Sequence, residues 1–250
     1  MAIDNAQILA ELDPDQLAVV TAISGPVCVI AGAGTGKTRV ITNRIAYAIN
    51  AGVTDPTKVL ALTFTAKAAG EMRARLRVLG ISNAAARTFH SAALKQLLYF
   101  WPYAFGGQFP SLLTTKSGFI SQAITRAEVA IPAQVNALRE IASEIEWAKV
   151  LEISPEDYQE RAIESSRLVK LPNSKTQGEN LSMIAQVYEA YESLKKQERT
   201  LDFEDVLLLT VGMLEEDRGV RERIQDQYRY FTVDEYQDVS PLQQRLLNLW

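Results

Sequence analysis

The sequence predicts an α/β fold, a mostly parallel sheet with helices on both faces, interrupted by a wholly helical segment. Three observations predict it. Short apolar runs at 27–31 and 59–64 alternate with helix-like stretches across residues 25–100, as strands joined by crossover helices do. Residues 101–199 then carry only helical periodicity. Past residue 200 the alternation resumes, with a helix over 202–214, a short strand at 230–233 and a helix from Pro241. The expected domains are therefore 1–100 with 200–250, and a helical insertion at 101–199.

Taken in order, the run 27–31 reads as a buried strand, with Cys28 inside it as a small apolar residue. A glycine loop follows, Ala31-Gly32-Ala33-Gly34-Thr35-Gly36-Lys37-Thr38, leading into a helix over 40–51. The run 59–64 is a second strand, followed by helices over 66–79 and 89–100. Pro102, Gly106, Gly107 and Pro110 break the chain. Helices are then expected near 115–129, 132–151, 155–169 and 179–198, with Pro132 and Pro155 suited to first turns. Residues 170–180 read as a loop, and no strand is expected in 101–199. At the end, Leu246, Leu249 and Trp250 are expected to leave an apolar patch.

Composition excludes several classes. The chain has 250 residues, a net charge of −4 and one cysteine, the profile of a globular protein without a disulfide framework. No apolar run approaches the ~18 residues of a membrane span, and residues 1–7 lack a signal pattern, so no membrane partner and a cytoplasmic location are expected. The negative charge argues against nucleic acid, but its distribution does not. Residues 1–99 hold ten Lys and Arg against six Asp and Glu, and within 58–95 seven cations face only Glu71. Such a local excess suits phosphate contacts.

A strand, a glycine loop and a helix start make up a phosphate-binding P-loop. Gly34 and Gly36 allow φ values that a Cβ opposes. The amides of Ala33, Gly34, Thr35 and Gly36 and the helix N-terminus cradle phosphate oxygens. Lys37 reaches the β/γ-phosphates and the Thr38 hydroxyl binds Mg²⁺. Ala31 stands where the pattern usually has glycine. At the other strand end, Asp234 is placed to hold Mg²⁺ and Glu235 to polarise the attacking water. ATP and Mg²⁺ are the expected cofactors.

Asp234-Glu235-Tyr236-Gln237-Asp238 after a strand, with the Lys37 loop upstream, resembles the UvrD/Rep/PcrA group of superfamily 1 DNA helicases. Residues 25–39 and 145–149 look closest to an actinobacterial UvrD-like subgroup. The resemblance implies a RecA-like P-loop NTPase domain, incomplete at Trp250, with the second motor domain and the arginine fingers lying beyond it. Leu12-Asp13-Pro14-Asp15-Gln16 resembles the adenine-reading segment, so Gln16 would bond the base and Arg39 lie on its ring. Residues 63–69 resemble a segment that holds single-stranded DNA, through Phe64, Thr65 and Lys67. Thr88-Phe89-His90 resembles a further DNA-contacting segment. Gln237 would couple the γ-phosphate to the DNA side, and Asp202-Phe203-Glu204-Asp205 is given a structural role.

The function implied is the N-terminal motor portion of an ATP-dependent 3′-to-5′ helicase acting on single-stranded DNA and ss/dsDNA junctions. The isolated chain is expected to be weak or inactive as an enzyme, and its repair-protein partners are unknown. Two alternatives stand beside this reading: a nucleotide- and ssDNA-binding module without motor action, and part of a RecB/AddA-like helicase–nuclease.

Overall fold

The computed structural model describes residues 4–32, 34–172 and 176–250. In chain order the helices and strands are α1 (Asn5–Leu9), α2 (Pro14–Thr21), α3 (Lys37–Asn50), β1 (Val59–Thr63), α4 (Ala66–Val78), β2 (Ala85–Thr88) and α5 (Phe89–Ala104). Next come β3 (Ser111–Leu112), α6 (Ser117–Arg126), α7 (Val135–Val150), α8 (Tyr158–Glu164), α9 (Gln177–Glu198) and β4 (Thr200–Leu201). The chain closes with α10 (Phe203–Glu216), α11 (Arg218–Gln227), β5 (Tyr230–Val233) and α12 (Pro241–Leu249). Among the described residues no helix is long and apolar enough to cross a membrane.

The chain forms two compact units. The first comprises Met1–Lys95, Leu214–Val239 and Asn248–Trp250. Its sheet has the order β2-β1-β5, every pair parallel, with Leu60 opposite Ala85 on one side and Phe231 on the other. All five residues of β1 are buried; an unbroken apolar run is what a central parallel strand covered on both faces requires. Val59 and Ala61 pack with Ile45 and Ala46 of α3, Met72 and Leu76 of α4, and Ala86 of β2. Trp250 completes this unit, its ring stacked on Phe89 and on Phe231 at centroid distances of 6.3 and 6.2 Å.

The second unit comprises Gln96–Met213 and Ser240–Leu247. Its core joins Ile120 and Ile124 of α6, Ile141 and Ile145 of α7, and Ile184, Val187 and Tyr191 of α9. Lys149 and Lys195 lie buried within it, both bonded to Asp202, which also accepts from the Tyr191 hydroxyl. Lys149 also pairs with Asp205, and Lys195 reaches the same carboxylate at 2.5 Å. Asp202 and Asp205 cap the start of α10 reciprocally, each accepting the other's backbone N–H at 2.9 Å. The cations around Asp202 hold its carboxyl far below the usual range against the opposing effect of burial. This agrees with the structural role expected for 202–205.

Several expectations are corrected. The run 27–31 forms no strand; Val27, Val29 and Ile30 are 40, 47 and 97 % exposed, and Cys28 is exposed too. A strand needs a ladder partner, and no described strand pairs with this run. The apolar exposure expected at the end of the chain therefore lies here instead, since Leu246 and Trp250 are buried. A short parallel pair, β3 with β4, places a strand inside 101–199. Helix α5 continues through Pro102 and ends two residues past it, in the turn where the ring removes a helix hydrogen bond. Pro132 and Pro155 precede α7 and α8 by three residues rather than opening them. Strand β2 and helix α11 were not expected at all.

Candidate nucleotide site

The glycine loop opens α3. Gly36, its N-cap, has φ 82° and ψ 24°, and Gly34 has φ 79°, left-handed values that glycine adopts without a Cβ penalty. A Cβ on Gly36 would also stand 3.4 Å from Gln16 Nε2. Thr35 Oγ1 donates to Gly32 O at 2.9 Å, closing the loop on itself. Ala33 lies outside the described residues.

Helix α2 braces this loop. Asp13 and Gln16 form a capping box, with Gln16 N donating to Asp13 Oδ1 at 2.8 Å and Asp13 N to Gln16 Oε1. The other end of the same amide, Nε2, donates to Thr35 O at 3.1 Å. Gln16 thus fastens the loop, with both ends of its amide engaged within the protein. Arg39 Nη2 is likewise engaged, with the Glu11 carboxylate at 2.7 Å and the Glu11 carbonyl at 3.2 Å. Glu11 went unnoticed in the sequence, where it directly precedes the segment from Leu12 to Gln16.

Strand β5 delivers the carboxylates. Asp234 N donates to Leu62 O at 2.9 Å, extending the ladder with β1 by one residue. Asp234 is 7 % exposed. Burial, reinforced by the neighbouring Glu235 charge, raises its carboxyl above the ordinary value; the Glu235 N–H and Lys37 oppose the rise. Glu235 has φ 51° and ψ 46°, a conformation that costs a non-glycine residue ~1–3 kcal/mol and is concentrated at functional sites. The turn carries its carboxylate to Lys37, with Nζ 3.3 Å from Oε1. Gln237 Nε2 donates to Glu235 Oε2 at 2.5 Å. That bond, then the one from Lys37, lowers the Glu235 carboxyl.

Residues 12–250 match the family described as the UvrD/REP helicase N-terminal domain. The chain belongs to this family. It is 44 % identical along its whole length to the ATP-dependent DNA helicase UvrD2 of Mycobacterium tuberculosis (strain ATCC 25618 / H37Rv), of which it covers 36 %. The ATP-dependent DNA helicase PcrA of Leuconostoc citreum is 32 % identical over 94 % of the chain, covering 30 % of that relative. The ATP-dependent DNA helicase Rep of Buchnera aphidicola is 33 % identical over 94 % of the chain, covering 33 %. The chain thus spans about a third of the length of these curated relatives.

The residues expected to contact DNA lie at the carboxyl ends of β1 and β2. Phe64 is half-buried, its ring tilted on Phe89 with centroids 6.1 Å apart. Thr65 caps α4, its hydroxyl accepting from Ala68 N at 3.0 Å. Lys67 is exposed, 4.0 Å from Glu71. Thr88 forms a reciprocal cap with Ser91 at the start of α5, and His90 follows on its first turn. Phe89 is 1 % exposed. That corrects its expected DNA role, because a ring enclosed by Phe64 and Trp250 has no face left for a base.

Proposed function

We propose that this chain is the nucleotide-binding portion of an ATP-dependent 3′-to-5′ DNA translocase that couples hydrolysis to movement along single-stranded DNA. The observation that carries the proposal is the meeting of Lys37 and Glu235 beside the buried Asp234. A lysine at a helix start facing two carboxylates at a strand end is the donor set that Mg-ATP requires. Bound Mg²⁺ neutralises phosphate charge. Lys37 leaves Glu235 for the β/γ-phosphates, while Thr38 and Asp234 offer hard oxygen ligands. Glu235, so released, would accept the proton of a water that bonds to the γ-phosphorus as the bond to the leaving ADP breaks, with Gln237 orienting the carboxylate.

Gln16 and Arg39 take the adenine end. Arg39 exchanges Glu11 for the ring face, and Gln16 exchanges Asp13 N for the base. Phe64 stacks on a base while Thr65, Lys67, Thr88 and His90 hold the strand. On this reading the unit bearing the sheet is the RecA-like motor portion, the helical unit is its insertion, and ss/dsDNA junctions in the cytoplasm are the working substrate.

Titration calorimetry with Mg-ATP tests the proposal. A saturable heat that Lys37→Ala abolishes is expected. No heat at millimolar ATP overturns it.

A further inference from the structure

We propose that a second anion site, apart from the Lys37 loop, lies along the open edge of the three-stranded sheet and takes the phosphodiester backbone of a nucleic-acid strand. Strand β2 ends the sheet order, and a cavity of about 640 Å³ opens beside it, lined by Arg73, Arg87 and Lys95 and, among the described residues, by no carboxylate side chain. Arg73 Nη1 donates to Ala86 O at 2.6 Å, which holds its guanidinium across the edge strand. Among the described residues, Arg87 Nε is buried with no hydrogen-bond partner. Buried donors are nearly always satisfied, and a guanidinium is best satisfied by the paired oxygens of a phosphate or carboxylate.

Three features favour a nucleic-acid strand over a free ion. The cavity is far larger than one phosphate and has the volume of sites that hold drug- or nucleotide-sized ligands. Two helix starts reach it: Ala66 opens α4 and Thr88 precedes α5, and helix N-termini attract anions. Ala66 also follows directly on Phe64 and Thr65. A strand held at those residues therefore runs on across the start of α4 into the cavity. The inference rests on the reading of this chain as a DNA-binding one.

The test is fluorescence anisotropy of a labelled oligothymidylate with the full chain at several salt concentrations. Arg87→Gln is expected to weaken binding about tenfold and to reduce the slope of log K against log salt by about one. Arg87→Lys is expected to keep that slope, and Mg-ATP binding is unchanged in both variants. If Phe64→Ala weakens binding while Arg87→Gln changes neither affinity nor slope, the edge site is overturned and the DNA reading stands. If the unmodified chain binds no oligonucleotide at any salt concentration, both fall. Equal sensitivity of Arg87→Gln and Arg87→Lys, or competition by inorganic phosphate as effective as by the strand, overturns the edge site as well.

Discussion

The Lys37 ammonium lies 3.3 Å from the Glu235 carboxylate, across 198 positions of sequence. Both side chains are about one-third exposed, 31 and 40 %. Ion pairs this exposed contribute ~0–1 kcal/mol, so the contact holds the two groups in place without locking them. A triphosphate competes with it easily.

Glu235→Gln removes the competing charge and leaves the loop intact. Mg-ATP affinity is expected to rise up to about fivefold, the equivalent of ~1 kcal/mol, with hydrolysis of bound ATP lost. Calorimetry and single-turnover hydrolysis measure the two effects. Weaker binding by this variant contradicts the arrangement.

Asp234→Asn is expected to stabilise the protein at pH 7. Its folded carboxyl is raised above 3.8, chiefly by burial, so stability falls as pH rises through the folded value, and the cost is fully present at neutral pH. Melting temperature rises by about 2–4 °C per kcal/mol relieved in a chain of this size, and the gain shrinks as pH is lowered toward 4. The same variant loses the Mg²⁺-dependent part of the shift that ATP produces. Thermal melts across pH, with and without Mg-ATP, report both.

Gly36→Ala places a Cβ at φ 82°, facing Gln16 Nε2. The strain costs ~1–2 kcal/mol, and Mg-ATP binding is expected to weaken about tenfold. Normal affinity in calorimetry would show that the loop reshapes freely.

Lys149→Met leaves Asp202 and Asp205 short of a buried cation. Breaking such a pair costs ~3–5 kcal/mol, read from urea unfolding followed by the helical signal. Asp202 is held far below 3.8 in the fold, so the stability it contributes is present above that value and lost as pH falls below it. Acid unfolding of the unmodified chain is therefore expected from about pH 4 downward, and Lys149→Met weakens that dependence, with Lys195 still paired to Asp202.

Phe64→Ala is expected to weaken single-strand binding about 5- to 150-fold, as loss of one stacked base implies. Phe64 also touches Phe89, so the thermal melt is measured alongside. An unchanged anisotropy isotherm at equal stability excludes stacking at this position.

Much of the fold was legible because its signals are local. Strand β5 occupies the expected residues and β1 nearly so, and α3, α4, α6, α7, α9 and α10 fall within a few residues of the periodicity that announced them. Strand β2, Ala-Ala-Arg-Thr, carries no strand-like pattern and is a strand only because it lies on β1. The run 27–31 has the opposite history. Its apolar character reads as a strand, yet without a neighbour to complete its hydrogen bonds it stays outside the sheet.

At the candidate site, residue type and spacing were enough to mark Lys37, Thr38, Asp234 and Glu235, because a phosphate loop and a strand-end carboxylate pair are contiguous motifs. Contacts between distant segments were not readable in this way. That Gln16 fastens Thr35, that Glu11 holds Arg39, that Phe89 is enclosed while Phe64 is not, and that Lys149 neutralises Asp202 all follow from packing. Hydrogen bonds and ion pairs depend on distances of a few ångströms between chain segments, and linear order carries no record of those distances.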